Sequence, residues 1–345
     1  MLFTLRLFKQ GLSLQFVTLA VLWCFILLAI LFITLAVSAT TGSYPLSLHD
    51  SVSTLLGQNQ WLIDSQASLI VWEFRLPRSL VAILSGALFG LSGALLQNMT
   101  RNPLADPSLV GISQGAALAV VILTIVFPEY IDTWREIAAF SGAIFVAMII
   151  QLLRGKGHPL KFILLGIGVA AFISAIISTL LTYGDIQSAM DALSWLAGSV
   201  HSASWHDVSI LSIALFIVCC IALYQARTMS VIGLGDEVAI GLGTNLKKVM
   251  LIQLTLSVAA AAIATAVVGP IGFIGLLAPH LARNIVRSGP ANHLILTALV
   301  GALLVLVADI IGKTVFAPTQ LAAGLVTSLI GAPLFAYLLI KNNHK

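Results

Sequence analysis

Long apolar runs alternate with short polar segments along almost the whole chain. Most runs hold about 20 residues, enough for a helix to cross the roughly 30 Å hydrocarbon core of a bilayer. The eighth run is the least regular, because Pro270 and Pro279 interrupt it. Ten spans are predicted, at about 14–39, 76–98, 109–127, 137–153, 162–183, 208–225, 249–268, 271–286, 293–312 and 321–340. The pattern predicts an all-α polytopic membrane protein whose residues 1–345 form a single transmembrane domain.

Composition agrees with this pattern. Of the 345 residues, 59% are hydrophobic and only 9% are charged, whereas a typical soluble domain is about 25% charged. The net charge of +4 is small, and no basic cluster supports a nucleic-acid partner. The three cysteines, Cys24, Cys219 and Cys220, lie inside apolar runs, so they indicate neither a disulfide framework nor a metal site.

The distribution of charge between the loops predicts the orientation of the chain. Basic residues concentrate in cytoplasmic loops, and most of the 17 lysines and arginines fall on one side if both termini are cytoplasmic. The opposite side receives the polar segment at about 40–73, with Asp50 and Asp64. The first run is too long for the apolar core of a secretory signal, so an uncleaved span is favoured over cleavage after Ala39. The inner basic residues would be Arg6, Lys9, Arg101, Arg154, Lys156, Lys161, Arg227, Lys247, Lys248, Arg283, Arg287, Lys341 and Lys345.

The most distinctive stretch contains a polar turn between two apolar runs. An uncharged run of small residues, Leu80–Leu96, ends at a proline-broken segment, Asn98–Pro107, here called the first elbow, and a second run begins after Gly111. Irregular backbone at membrane depth must be buried in protein or line a water-filled path. Three glycines of the first run would let a neighbouring helix approach closely. They are Gly86, Gly90 and Gly93.

A second broken segment stands in the corresponding place of the other half of the chain. Gly269–His280, here called the second elbow, follows an alanine-rich run as the first elbow follows Leu80–Leu96. Paired broken helices are typical of transporters built from inverted repeats, with the transport path between them. We therefore predict two repeats, at about 75–183 and about 247–340.

Four basic residues fall on the predicted outer side, against the general trend: Arg75, Arg78, Arg135 and Lys313. Arg75, Arg78 and Lys313 all lie at the ends of spans. A basic side chain there can extend to the interface and anchor the helix. The alternative is a basic patch that docks an acidic partner. The residues alone leave both interpretations open.

Asp309 is the one acidic residue inside a predicted span. A carboxylate in the membrane is by default a functional candidate, for example in a proton relay. Lys313 lies one helical turn away, however, and a pair at this spacing satisfies both charges. A single acid makes a poor relay, so pairing is the favoured interpretation.

No motif indicates catalysis. Val307–Thr314 comes close to a nucleotide-binding loop, but valine replaces its first glycine and the segment lies in a span. An intramembrane enzyme would need a paired nucleophile and base or a metal cluster, and the spans offer neither. The chain is therefore predicted to be a transport subunit without a metal site of its own.

Two polar segments between spans are predicted to contain short helices. The segment at about 184–207 carries Trp195 and Trp205, which suits a helix at the membrane interface. On the cytoplasmic side, the segment at about 234–243 has the residues of a short capped helix. That helix either only connects two spans or forms the contact through which an external ATPase moves the permease. Its residues of interest are Gly235, Asp236, Glu237, Gly241 and Gly243.

Six motifs in a fixed order make the chain resemble the FecCD permeases, the membrane subunits of type II ABC importers for ferric siderophores, haem and cobalamin. The resemblance covers about residues 60–340. The motifs are RLPR at Arg75–Arg78, TRNPLADP at Thr100–Pro107, GISQGAA at Gly111–Ala117, LGDEVAIGLG at Leu234–Gly243, GPIGFIGLLAPHLAR at Gly269–Arg283 and GLVTSLIGAP at Gly324–Pro333.

The resemblance implies a ten-helix subunit of the bacterial inner membrane that works in a larger assembly. Its partners would be a second permease, as a copy or a sister chain, two ATPase subunits that bind ATP and Mg, and a periplasmic binding protein. No cofactor is expected on this chain. The implied sites are docking of the binding protein at Arg75, Arg78 and Lys313, a cytoplasmic gate at Asn102, Pro103 and Leu104, and ATPase coupling at Gly235–Gly243.

Departures from the family pattern bear on the cargo. Lys313 stands where the family commonly has arginine, and Gln320-Leu-Ala-Ala-Gly324 replaces Glu-Leu-Pro-Val-Gly. The glutamine, with Leu165–Val169 and Trp195–Ser199, is more similar to permeases for catecholate siderophores. A ferric siderophore is therefore the expected cargo, with haem or cobalamin as alternatives. A proton-coupled secondary transporter that uses Asp309 is the alternative from another class.

Overall fold

The structure is a computed structural model that describes residues 2–7, 12–42, 68–154, 159–317 and 319–342. In these ranges the chain forms one two-stranded sheet and twelve α-helices. Predictions for Lys9, Asp50, Asp64, Lys156 and Lys345 concern residues outside them. The strands are β1 (Leu2–Leu7) and β2 (Leu12–Val17). The helices are α1 (Thr18–Thr40), α2 (Leu76–Thr100), α3 (Ile112–Val126), α4 (Ile131–Arg154), α5 (Pro159–Tyr183), α6 (Ile186–Leu196), α7 (Trp205–Ile232), α8 (Asp236–Gly241), α9 (Leu246–Val268), α10 (Ile274–Ile285), α11 (Pro290–Thr314) and α12 (Ala323–Asn342).

The N-terminal strands modify the first predicted span. β1 and β2 pair in antiparallel fashion, with Leu2 opposite Val17 and Leu7 opposite Leu12. Residues that the hydropathy assigned to the start of the span therefore belong to β2, and α1 begins at Thr18. A small sheet thus accompanies an otherwise all-helical membrane protein.

The predicted spans correspond to helices, with one broken crossing. Seven helices of the described chain are long and apolar enough to cross a membrane, and α3 and the first part of α12 are shorter apolar helices. With 12 residues, α10 is about 18 Å long, short of a bilayer core. The non-helical residues Gly269–Phe273 precede it, and Arg283 in its last turn donates to Gln97 of α2.

The helix α2 lies at the centre of the bundle. It is the most completely buried of the seven long apolar helices in the described part of the chain and packs against α9, α10 and α11. Small residues make this possible. A Cβ at Gly86 would overlap the Gly301 carbonyl, and one at Gly93 would overlap the Gly275 carbonyl. At Gly90 it would lie 2.9 Å from the Thr297 carbonyl oxygen.

The two elbows follow α2 and α9 and meet at Gly275, where a Cβ would lie 2.9 Å from Pro107 Cδ of the first elbow. The first elbow follows α2, and the second begins with the non-helical residues Gly269–Phe273 and continues into α10. In the first elbow, Asp106 accepts hydrogen bonds from the Ser108 N–H and hydroxyl, both at 2.8 Å, and caps a short turn that leads to α3. The two inverted repeats and their boundaries stay a prediction.

The predicted interfacial helix is shorter than its segment. The helix α6 covers Ile186–Leu196 and is capped by Asp185, which accepts from the backbone N–H of Gln187 and Ser188. Trp205 instead begins α7, where Ser204 and Asp207 form a capping box. The indole ring of Trp205 stacks on Trp72, with 6.5 Å between the ring centroids. The segment thus turns back into the bundle after α6.

Candidate functional site

At one end of the bundle, here called the Arg78 end, an arginine gathers polar groups from three separate segments. Arg78 lies in the first turn of α2 and donates from Nε and Nη2 to Asp309 Oδ1 on α11, at 2.9 and 2.8 Å. Its Nη1 donates to Gln320 Oε1 at 2.7 Å and lies 3.0 Å from His201 Nδ1. With Lys313, these four residues form what we call the Arg78 cluster.

Asp309 is shared between two cations. Lys313 Nζ lies 3.8 Å from Asp309 Oδ2 and also donates to the backbone oxygen and hydroxyl of Ser38, both at 2.8 Å. The side chains of Asp309 and Lys313 are only 1% and 4% exposed. The favoured pairing of Asp309 with Lys313 is therefore present, and Arg78 is a second partner. A carboxylate held by two cations is poorly suited to the proton-relay alternative.

Arg75 adds a third positive charge beside this cluster. Its side chain is buried, and Nη1 donates to the Ala39 carbonyl oxygen at 2.7 Å. Arg75, Arg78 and Lys313 therefore lie together at one end, but they point into the protein. Anchoring at the lipid interface does not describe them, because their charged groups bond to α1 and α11 instead.

An open cavity lies over the three basic residues. It has a volume of about 930 Å³ and is lined in part by Arg75, Arg78 and Lys313. Trp205, His206 and Glu73 contribute the rim. Arg75, Arg78 and Lys313 therefore lie together beneath this cavity, beside the carboxylate of Asp309. Docking at these residues stays a prediction.

At the opposite end, here called the Arg101 end, a second arginine connects the first elbow to α8. Arg101 is the residue that follows α2, and its Nη2 donates to the Ile232 carbonyl oxygen at 3.0 Å. The same nitrogen forms an ion pair with Asp236. Asp236 is the first helical residue of α8, and Gly235 occupies the capping position.

The helix α8 presents an apolar surface. Ala239 is buried against the bundle, whereas Leu234, Val238, Ile240 and Leu242 are 65%, 47%, 62% and 64% exposed. Nothing lies within 4 Å of the Cβ positions of Gly235, Gly241 and Gly243. Exposed apolar groups beside the acids Asp236 and Glu237 are typical of a protein contact surface. ATPase coupling here stays a prediction.

The predicted gate residues form the turn that follows Arg101. Leu104 N–H donates to Asn102 Oδ1 at 3.0 Å, which closes the turn around Pro103. Just before this turn, Asn98 donates to Gln253 Oε1 of α9 at 3.1 Å. The end of α2 is therefore fixed to α9, and the turn projects beyond it. Its role as a gate stays a prediction.

Sequence reasoning missed the contacts that organise both ends. Arg78 and Asp309 are 231 residues apart, and Arg101 and Asp236 are 135 apart. The available signal was the presence of an acid inside a span and of an arginine next to an elbow. It did not identify the partners. Gln320 drew attention as a departure from the family pattern, and in the structure it accepts a hydrogen bond from the Arg78 guanidinium.

The described residues offer no site for a resident metal. No group of three or more His, Cys, Asp or Glu side chains in that part of the chain is arranged to hold an ion. The cysteines Cys24, Cys219 and Cys220 are free thiols.

Comparison with known proteins agrees over nearly the whole length. The profile of the FecCD transport family matches residues 15–341. The probable siderophore transport system permease protein YfhA of Bacillus subtilis (strain 168) is 38% identical, over 92% of this chain and 94% of that protein. The hemin transport system permease protein HmuU of Yersinia pestis is 36% identical, over 92% and 95%. A solved structure described as an inward-facing conformation of a putative metal-chelate type ABC transporter matches with a TM-score of 0.81 and 27% identity, over 92% and 99%.

Proposed function

Because the chain belongs to the FecCD transport family, we propose that it is the permease subunit of an ATP-driven importer that carries a ferric siderophore into the bacterial cytoplasm. The observation that carries this proposal is the joint match of sequence and fold from the first helix to the last. A probable siderophore permease is among the relatives that match it over more than nine tenths of both chains. A hemin permease matches almost as well, so haem is the alternative cargo to be tested directly.

The Arg78 end is the proposed docking surface for the periplasmic binding protein. Arg75, Arg78 and Lys313 line an open cavity at this end, beside the carboxylate of Asp309. Acidic side chains of a partner would be attracted to these basic groups, which raises the rate of association more than the final affinity. Since the three cations are held by internal hydrogen bonds, the surface is ordered before the partner arrives.

The Arg101 end is the proposed contact for the ATPase. The helix α8 extends exposed apolar side chains beyond the bundle, and such a helix fits a hydrophobic groove in a partner. Two ATPase subunits would bind, one to each permease of the proposed dimer. ATP and Mg would be bound by those subunits, and this chain would carry the cargo without a cofactor.

The proposed transport path is closed on the cytoplasmic side by the first elbow. Asn102, Pro103 and Leu104 form a hydrogen-bonded turn at the end of the central helix α2. Its backbone lies outside regular helix, which at this depth suits a position along a polar path. In the dimer, the equivalent turn of the second permease would face it. Both termini would then be cytoplasmic.

The proposed class of siderophore is catecholate, but the structure assigns Gln320 a different task from cargo recognition. Gln320 accepts a hydrogen bond from Arg78. Within Trp195–Ser199, Gly198 and Ser199 bond to Gly324 and Val268, so this segment holds helices together. Support for catecholates therefore comes from the sequence resemblance only. The binding protein is the expected source of most selectivity.

The function is tested by uptake into vesicles. The chain is co-expressed with its neighbouring ATPase and binding protein, and the vesicles are given radioactive iron as a catecholate, a hydroxamate or haem. We expect uptake that needs all three components and ATP, and that is highest for the catecholate. Uptake by this chain alone, driven by a proton gradient, would contradict the proposal. A preference for haem would support the importer assignment but identify haem, and not a siderophore, as its cargo.

The docking surface is tested separately by Arg75→Gln. This change removes one charge of the surface but keeps an N–H donor for the Ala39 carbonyl. We expect slower association with the binding protein and a weaker dependence of its rate on salt. Lys247→Gln removes a charge from the opposite end and is the matched control. Equal association rates for the two variants would exclude docking at Arg75.

A further inference from the structure

Arg101 stands where the central helix ends and the first elbow begins. Its backbone has a φ of 50°, in the left-handed region that non-glycine residues seldom adopt. This residue therefore sets the direction in which the elbow leaves α2. Its side chain turns away from the elbow, and Nη2 donates to the Ile232 carbonyl oxygen and to the Asp236 carboxylate.

The two acceptors lie on either side of the junction between α7 and α8. Ile232 is the last residue of α7, and Asp236 is the first residue of α8. One nitrogen of Arg101 thus holds both helices at their meeting point. Because α8 is buried only on the Ala239 side and its other apolar residues are exposed, a partner that binds α8 would displace it together with this junction.

On the other side of Arg101, the elbow is bonded within itself. Asn102 accepts from Leu104 N–H through Oδ1 at 3.0 Å and from Ala105 N–H through its carbonyl oxygen at 3.1 Å. Asp106 then caps the turn that leads to α3. These bonds make the residues after Arg101 one unit, so a movement of Arg101 would be passed to Leu104.

The elbow also has space in which to move. A cavity of about 350 Å³ lies beside it, lined in part by Arg101, Pro103, Gly233, Arg283 and His293. Close-packed interiors resist displacement, whereas a segment that borders a cavity can shift without compressing its neighbours. The link between α8 and the elbow therefore adjoins a cavity at this end of the bundle.

Stability alone does not account for the ion pair. The side chains of Arg101 and Asp236 are 43% and 53% exposed, and exposed ion pairs contribute little to folding because water and salt screen them. What distinguishes this pair is its position, since it joins the first elbow to the helix that presents the apolar surface.

We propose that Arg101 transmits movement of α8 to the first elbow, so that displacement of α8 by the ATPase opens the path at Asn102–Leu104. The inference rests on the proposed function, because it takes α8 as the ATPase contact and the elbow as the gate. In this mechanism Arg101 is a positioning residue and touches neither ATP nor cargo.

The test is an exchange of charges with a matched control. Arg101→Asp places two carboxylates together and suits the left-handed backbone, which aspartate tolerates. Asp236→Arg reverses the other partner, and the double variant Arg101→Asp/Asp236→Arg restores attraction. The control, Arg101→Asp/Glu237→Arg, has the same net charge but moves the new arginine one residue along α8. Uptake per ATP hydrolysed is measured in vesicles, together with co-purification of the ATPase.

We expect each single reversal to lower uptake per ATP about fivefold, the factor that corresponds to one exposed ion pair, while ATP hydrolysis and co-purification persist. The exchange should restore the ratio, and the Glu237 control should not. If a reversal prevents assembly, Arg101→Met gives the same comparison without repulsion. Normal uptake per ATP in Arg101→Met, or an exchange no better than the control, would overturn the inference. If the unaltered complex shows no ATP-driven uptake, the proposed function itself is refuted.

Discussion

Replacing Asp309 by asparagine should destabilise the protein through the cations that it leaves behind. Arg78 Nη2 lies 2.8 Å from the carboxylate, and the two side chains are 11% and 1% exposed. Lys313, 4% exposed, lies on the other oxygen. Removing one partner of such a buried pair costs about 3–5 kcal/mol, because the remaining charge stays out of water without compensation. Asparagine keeps one acceptor for Arg78, so we expect the lower figure, about 3 kcal/mol.

The measurement is the thermal unfolding midpoint of the purified chain in detergent, with uptake assayed in parallel. Asp309→Asn should lower the midpoint clearly, whereas Glu237→Gln, an exposed acid at the other end, should change it little. The triple variant Arg78→Met/Asp309→Leu/Lys313→Met should recover most of the loss, since apolar residues of similar size can replace a buried ionic triad. An unchanged midpoint with abolished uptake would refute this reasoning and return Asp309 to a role in proton transfer.

Three further predictions concern packing, pH and the ATPase contact. Gly93→Ala should lower the free energy of unfolding by about 1–3 kcal/mol, because its methyl group would overlap the Gly275 carbonyl. The unfolding midpoint should fall accordingly. Gly241→Ala is the control, because nothing lies within 4 Å of that Cβ position. Burial raises the pKa of Asp106, so the folded state favours its protonated form and stability falls as the pH rises from about 4 to neutral. Asp106→Asn should therefore stabilise the protein most at pH 7 and less near pH 4; an equal gain at both would contradict this. Val238→Ser/Ile240→Ser should weaken co-purification of the ATPase without changing the unfolding midpoint, and undiminished co-purification would exclude α8 as the contact.

Local signals in the sequence were sufficient for the helices and their connections. The spans followed from apolar length, because every backbone group of a segment in lipid must be bonded within that segment or its neighbours. The elbows followed from proline and glycine, which interrupt helical hydrogen bonding. Both features depend on residues close together in the chain. The boundary of α1 was the exception, because β2 competes for the residues before Thr18 through pairing with β1.

The contacts of the glycines in α2 could be predicted from the sequence only in part. Their spacing predicted that some helix would approach closely, and their partners, Gly301 on α11 and Gly275 on α10, became known only from the packed bundle. Which helix fills a groove depends on the fit of two surfaces that are far apart in the sequence. A pattern within one helix contains no information about the second surface.

The same limit applies to the charges. The sequence by itself determined that Arg78, Asp309 and Lys313 lie near the membrane boundary and that Asp309 needs a partner. It identified the neighbour one turn away, because spacing on a helix is fixed. Only the tertiary structure decided that Arg78 also binds Asp309 and that Arg101 binds Asp236. An ion pair acts over a few ångströms, and the packing of α2 against α11 and of the first elbow against α8 decides which distant charges come within that range.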